Sequence, residues 1–309
     1  MKVIVVGLGT QGRKRRTVAA ADVVATVDPM VTDASYRRLE DVPPDSYDAA
    51  LVCTPDAAKI SLLTYLLDHG KHVLVEKPLL ADDERALHEL DRLATSRGAV
   101  CYTAYNHRFE PHLERLKRIL DDGSLGRVYQ VSMFYGNGTA RDVRHSPWRD
   151  QGLGAISDLA SHMLDLCLFY FGPAAGTPQP WNCARFENAA FDYFALGFPE
   201  STPRLMLEGT LLSWRNTFSL DVFAEHGTAH VSGLCKWGPS SLILRRRVLP
   251  SGKPPEDVHT LEQPDPTWAA EYRHFQTLCA SGGTNIANDI WINRILQDVG
   301  RALGIEQHA

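Results

Sequence analysis

The chain has 309 residues, with 32 Lys and Arg against 37 Asp and Glu, a formal charge of −5 and 44% hydrophobic residues. That length suits about two domains of ~150 residues with ordinary cores, and the mild acidity excludes the broad basic field on which phosphate-driven nucleic-acid binding depends. There is no run of ~20 apolar residues to span a membrane, and the opening residues lack a secretory pattern, so a cytoplasmic protein is expected.

In chain order, the first third alternates short apolar runs with helical ones. Strands are predicted at Lys2–Val6, Val23–Val27, Ala49–Cys53, His72–Val75 and Ala99–Tyr102, continuous apolar or β-branched runs of the kind buried on both faces of a parallel sheet. Helices are predicted at Ala57–His69, stopped by Gly70, and at Asp82–Arg97, with Asp82 or Asp83 as N-cap and Gly98 past the end. Such units favour a doubly wound open sheet. Two crossovers are short. Only about two or three helical turns fit between Gly12 and Val23, and Pro29, Pro43 and Pro44 leave at most a helical piece at Ala34–Glu40. After a helix at Pro111–Leu120, alternating segments at Arg127–Tyr135, Phe191–Phe198, Arg204–Leu211, Ser219–Ala224 and Leu242–Val248 predict a second domain on an antiparallel sheet. An apolar helix at Ala155–Phe171 interrupts them, and helices at Trp268–Ala280 and Ile290–Leu303 close the chain.

Gly7-Leu8-Gly9-Thr10-Gln11-Gly12 follows the first strand and opens a helix, the context in which this glycine spacing points to a dinucleotide. The first glycine permits a tight turn, the second lets the backbone approach a pyrophosphate, and the third lets helix and strand pack closely. The helix N-terminus supplies free N–H groups for phosphate, with Thr10, Gln11 and Arg13 in its first turn. The alternative is a glycine-rich turn without a ligand. Asp28 ends the second strand at the position of a ribose-reading acid, about 20 residues into the unit, where it accepts ribose hydroxyls and repels a 2′-phosphate. NAD is therefore favoured. The cation run Arg13-Lys14-Arg15-Arg16 leaves NADP open, with pyrophosphate contact or a solvated helix face as its other readings.

Glu76-Lys77-Pro78 follows the strand at His72–Val75 and so stands at a carboxyl end, where open α/β sheets place ligands. Lys77 there is either a contact to nicotinamide and substrate or a surface lysine before a turn. On the apolar helix, Asp158, His162 and Asp165 fall at i, i+4 and i+7 on one face. A carboxylate one turn from an imidazole orients it and sets its pKa for proton transfer; a structural Asp–His pair is the other reading. Metal is not expected, because no second His or Cys cluster accompanies them. The six cysteines include no C-x-x-C pair and read as buried thiols. The long irregular stretch before that helix carries Arg141, Arg144, Trp148 and Arg149, either an anion clamp with a stacking face or a solvated loop paired to Asp142 and Asp150.

Taken together, Gly7-x-Gly9-x-x-Gly12, Thr54-Pro55, Gly70-Lys71-His72-Val73-Leu74-Val75-Glu76-Lys77-Pro78, Asn106-x-Arg108-Phe109 and Asp158-x-x-x-His162-x-x-Asp165 resemble the Gfo/Idh/MocA family of nicotinamide-dependent sugar and inositol oxidoreductases. The resemblance implies a Rossmann domain over 1–107 and an α/β domain over 108–309, whose largely antiparallel open sheet forms a homo-oligomer. It implies cofactor contacts at the glycine loop, Asp28, Thr54, Pro55 and Glu76-Lys77-Pro78, with Lys77-Pro78 cis. It further implies that His162 exchanges the proton of the reacting hydroxyl, Lys77 polarises that oxygen, Asp158 positions the sugar and Asn106 lines the pocket. Lys59 and Arg15 stand where the family often has histidines.

The leading reading is an NAD-dependent sugar dehydrogenase or reductase, possible anionic substrates being a nucleotide sugar or a sugar acid. Two others stay open: a glycosidase that uses bound NAD as a transient oxidant, and a non-catalytic, cofactor-responsive regulatory protein. Nucleic acid and membrane are not expected as partners.

Overall fold

The first five strands are mostly apolar, a pattern that is stable where both faces of a sheet are covered. The computed structural model describes residues 1–146 and 148–305. In it β1 (Val3–Val6), β2 (Val23–Val27), β3 (Ala49–Val52), β4 (His72–Glu76) and β5 (Cys101–Ala104) form a parallel sheet in the order β2-β1-β3-β4-β5. Strand period two divides the side chains between two cores. Ile4, Val6, Ala50, Val52, Val73 and Val75 face one layer, which α2 (Asp56–Asp68) and α3 (Glu84–Arg97) cover with Leu63, Leu66, Leu87 and Leu90. Val3, Val5, Ala49, Leu51 and Leu74 face the other, covered in part by Ala19 of the short α1 (Thr10–Ala19).

The helical piece expected at Ala34–Glu40 does not form. Tyr36 instead bridges to Val27 and extends the edge of β2, followed by a single 3-10 turn at Leu39–Asp41. An exposed edge strand offers unpaired backbone groups, and the Tyr36 N–H takes one of them by donating to the Thr26 carbonyl at 3.0 Å.

A second unit begins at residue 107. After α4 (Pro111–Asp121) come β6 (Val128–Gly136), the short α5 (Ala140–Arg144), a π-helical turn at Ile156–Ala160 and α6 (Ser161–Phe171). The strands β7 (Gln179–Ala184), β8 (Tyr193–Phe198), β9 (Arg204–Thr210), β10 (Thr217–Ala224), β11 (Gly227–Ser232), β12 (Ser240–Arg246) and β13 (Glu256–Leu261) complete an eight-stranded sheet. Its order is β13-β12-β11-β10-β6-β9-β8-β7, antiparallel except for the β6–β9 pair. Sequence patterning finds neither edge strand, β7 nor β13, and also misses the interior β11. Pro180 and exposed Gln179 mark one edge, and the exposed Glu256 and Asp257 mark the other; these are the residues that protect sheet edges.

The chain then returns to the first unit through residues 266–294, which sequence patterning groups with 108–309. Tyr272 and Phe275 of α7 (Thr267–Ser281) close the core left open beside α1, while Ile286 and Ile290 of α8 (Ile286–Ala302) pack into the opposite core. Burial of a side chain such as Phe275 stabilises by roughly 1.5–3 kcal/mol, which gives the returning segment its place. Residues 306–309, at the end of the expected second domain, lie outside the described residues.

Candidate active site

In the first unit, the loops after β1, β3, β4 and β5 all stand at carboxyl ends of parallel strands, and the strand order reverses between β1 and β3, where such sheets bind ligands. The three glycines have different work. Gly7 adopts φ +90°, and a Cβ there would lie 2.6 Å from the Cys53 carbonyl oxygen. A Cβ on Gly12 would lie 1.8 Å from the Gly7 carbonyl oxygen. Both are closed by backbone packing, whereas a Cβ on Gly9 would meet nothing within 4 Å. Gly9 caps α1 with no side-chain bond, and the first turn carries no acidic residue. Its free N–H groups, beside exposed Thr10, Gln11 and Arg13, therefore suit an anion. These residues fit a dinucleotide phosphate.

Asp28 braces this loop. Its Oδ2 accepts the Leu8 N–H at 2.7 Å, and its Oδ1 accepts the Met30 and Val31 N–H groups at 2.8 and 3.0 Å. Burial works against the carboxylate, but these three donors and the charge of Arg37 hold it below its ordinary range. A carboxylate offers about four lone-pair sites, so Asp28 retains capacity for one ribose hydroxyl rather than the two of the sequence reading.

The cation run resolves into unlike parts. Arg13 and Arg16 are exposed and Lys14 lies over the Trp268 ring at 3.9 Å, but Arg15 is buried at 1% exposure. Its guanidinium pairs with Glu76 and Glu271, each at 2.7 Å, and stacks on Trp268 at 4.2 Å. Lys59, at 2% exposure, donates to the Pro78 carbonyl at 2.6 Å and pairs with Asp56 at 2.7 Å. Arg15 and Lys59 thus tether the residues on either side of Lys77, and the Lys77–Pro78 peptide is cis. Thr54 and Pro55 lead from β3 into α2, where Pro55 is the N-cap. Asn106 is buried, and its amide donates to the Thr267 hydroxyl at 2.8 Å, tying the end of β5 to the start of α7.

In the second unit, the expected polar stripe on the apolar helix separates into three environments. Asp158 lies in the π-helical turn with its carboxylate 3.6 Å from the Arg149 guanidinium. His162 is 7% exposed and stacks on His107, with ring centroids 4.0 Å apart and planes 15° from parallel. Asp165 is fully buried and receives two charge-assisted bonds from Arg108, at 2.7 and 2.6 Å. Asp165 is therefore a structural partner of the Asn106-x-Arg108-Phe109 motif.

The arginine-bearing stretch is not wholly irregular, since α5 forms within it. Arg149 faces Asp158, Arg144 donates to the Glu187 carbonyl, and Arg141 is exposed on α5. The three do not form one clamp. Trp148 is 56% exposed.

Several side chains escape sequence reading. Tyr135 of β6 places its ring 6.0 Å from His162 and 5.5 Å from His107; burial, reinforced by the charge of Asp158, raises its phenol pKa. Lys236 brings its Nζ to 3.2 Å from His107 Nε2. His107 sits inside a recognisable motif and was findable there. Lys236, on a 3-10 turn between strands, carries no local signal.

Residues 1–105 match a family model described as an oxidoreductase family with an NAD-binding Rossmann fold. Residues 113–178 match the GFO/IDH/MocA C-terminal domain. The chain is 30% identical over 234 residues to the uncharacterized oxidoreductase YdgJ of Escherichia coli (strain K12), covering 73% of this chain and 66% of that protein. It is 30% identical over 166 residues to scyllo-inositol 2-dehydrogenase (NADP(+)) IolW of Bacillus subtilis (strain 168), covering 52% and 45% respectively. The chain thus spans about two thirds of the length of these curated relatives, or less. UDP-N-acetylglucosamine 3-dehydrogenase GnnA from Acidithiobacillus ferrooxidans shares the fold with a TM-score of 0.80 at 18% identity, over 99% of this chain and 97% of that one.

Proposed function

The chain belongs to the Gfo/Idh/MocA family of oxidoreductases, and from that premise we propose that it transfers a hydride between a nicotinamide cofactor and a hydroxyl-bearing carbon of a sugar or sugar derivative. The bound nicotinamide supplies the hydride acceptor or donor. In the oxidative direction His162 takes the hydroxyl proton on a ring nitrogen as the carbonyl forms, and the same proton returns in reduction. Lys77 polarises the reacting oxygen, and Asp158 orients the sugar. Gly9, Thr10, Gln11 and Arg13 hold the pyrophosphate, and Asp28 favours NAD by its charge. Arg141 and Arg144, both exposed, suit an anionic substrate such as a nucleotide sugar or a sugar acid. The exposed Tyr129, Met206 and Phe223 of the large sheet suit a homo-oligomer contact.

The observation that carries a reaction, beyond cofactor binding, is His162. A titratable ring at 7% exposure, one turn from the carboxylate-bearing Asp158, carries a desolvation cost for which proton transfer is a reason. The test is to incubate the protein with NAD and NADP separately against free sugars, inositols, sugar acids and nucleotide sugars, following reduced nicotinamide by absorbance. Net reduction with one substrate class is the expected result. Cleavage of a glycoside with no net reduction, or tight cofactor binding without turnover in either direction, overturns it.

A further inference from the structure

We infer that Lys236, acting through the stacked ring of His107, holds His162 in its uncharged, proton-accepting form. The inference rests on the reading of His162 as the acid–base group and adds the device that sets its protonation state. The two imidazoles overlap at 4.0 Å and 15°, and at that separation two cationic rings repel strongly. Their protonation is therefore coupled, and the pair holds at most one extra proton near neutral pH. An ammonium has donors and no acceptor. The 3.2 Å contact from Lys236 Nζ to His107 Nε2 is consequently favourable only while that nitrogen keeps its lone pair. His107 is held neutral, with its proton on Nδ1, and a positive charge stands one ring away from His162.

The contact is built rather than incidental. Lys236 belongs to the 3-10 turn Cys235–Trp237. Both oxygens of the buried Glu110 grip that turn: Oε1 accepts the Cys235 N–H at 3.0 Å and Oε2 accepts its thiol at 2.9 Å. The Glu110 N–H in turn donates to the His107 carbonyl at 3.0 Å. Glu110 thus fixes both ends of the Lys236–His107 contact, with its carboxyl group at Cys235 and its backbone N–H at His107. The Lys236 ammonium also lies 4.6 Å from the Trp237 ring centroid, which favours the charged form.

Asp158 faces Arg149 at 3.6 Å while its charge still reaches Tyr135, so it opposes Lys236 at this cluster, and Asp165 is paired by Arg108. Tyr135, facing both rings, is kept neutral by burial. Glu110 interacts with Lys236 and with Asp265, and at Cys235 burial first and then these carboxyls push the thiol up to about 12. Both positioning residues, Lys236 and His107, act on His162 without needing to touch a substrate.

The test follows the imidazole signals of His162 and His107 by NMR across a pH titration of the full chain, with variants checked for folding by circular dichroism. In the unsubstituted protein His162 is expected to titrate below the ordinary value of about 6.5. Lys236→Met should raise its midpoint by about one pH unit, and Lys236→Arg should restore it. In a His107→Phe background, where no ring nitrogen fixes the ammonium in place, Lys236→Met should move the midpoint by less than it does in the original protein. With a substrate in hand, the acid limb of kcat/KM for oxidation should rise with the NMR midpoint. A His162 midpoint at or above 6.5, or one unmoved by Lys236→Met, overturns the inference. The titration needs no turnover, so its failure is distinguishable from failure of the oxidoreductase reading, which shows as absence of net nicotinamide reduction.

Discussion

The glycine loop of the first unit and the histidine cluster of the second solve opposite problems. The loop is made of backbone: Gly7 and Gly12 are shut against carbonyl oxygens and Gly9 is open, so its chemistry is written in a six-residue spacing. The cluster is made of side chains drawn from residues 107, 135, 162 and 236, brought together only by the sheet and its covering helix. The loop is closed by backbone contact that leaves no room for a Cβ at Gly7 or Gly12, whereas the cluster is held by ring stacking and a Lys–His contact. Damage to them should differ accordingly.

The largest effect is expected at Gly12→Ala. A Cβ 1.8 Å from the Gly7 oxygen forces the loop apart, and a loss of about 3 kcal/mol or more, with no measurable cofactor binding, should appear in thermal melts and calorimetry. Gly9→Ala is the contrast: stability within about 1 kcal/mol of the original, with weaker cofactor binding. Equal melting loss in the two variants would break the distinction drawn between the glycines.

In the second unit, Arg108→Ala leaves Asp165 buried with its bidentate partner removed. Destabilisation of about 3–5 kcal/mol is expected by denaturant titration, and Arg108→Lys should recover only part of it because the fork geometry is lost. Lys59→Met orphans the Pro78 carbonyl and should cost about 1–3 kcal/mol. It should also lower kcat more than it raises KM, since its tether adjoins Lys77.

Asp28 gives a smaller, pH-dependent effect. Its folded pKa is held down, so its contribution to stability is complete above the unfolded value near 4 and is lost as pH falls through the lower folded value. Asp28→Asn should flatten that acid limb of the unfolding curve. The smallest expected effect is on substrate charge: Arg141→Ala with Arg144→Ala should weaken an anionic substrate about tenfold or less at moderate salt, and unchanged binding removes these residues from the substrate contacts.

The parallel sheet, its helices and the glycine loop were legible because each is set by local pattern: apolar strands, Gly70 and Gly98 as stops, and a motif at a strand end. The antiparallel character of the second sheet was legible from its central strands. Its edges were not, because edge strands are polar by necessity, and the interior β11 was missed as well. Likewise hidden was the return of 266–294 to the first unit, since an amphipathic helix states which face is buried but not against what. At the candidate site, the sequence singles out His162, Asp158 and Lys77 but not the residues that contact their neighbours. Arg15 reads as one member of an exposed cation run until its pairing with Glu76 and Glu271 is seen. Lys236 is invisible because its contact spans 129 residues.

Cofactor binding and proton transfer fall to different residues in the proposed reaction. The decisive measurement compares His162→Ala with the original protein for nicotinamide-cofactor affinity by calorimetry and for turnover of the sugar class that gives activity. Affinity within about twofold, with turnover lower by about 100-fold or more, is the predicted result. Turnover retained in the variant, or cofactor affinity lost with it, contradicts the assignment of His162 as the group that exchanges the proton.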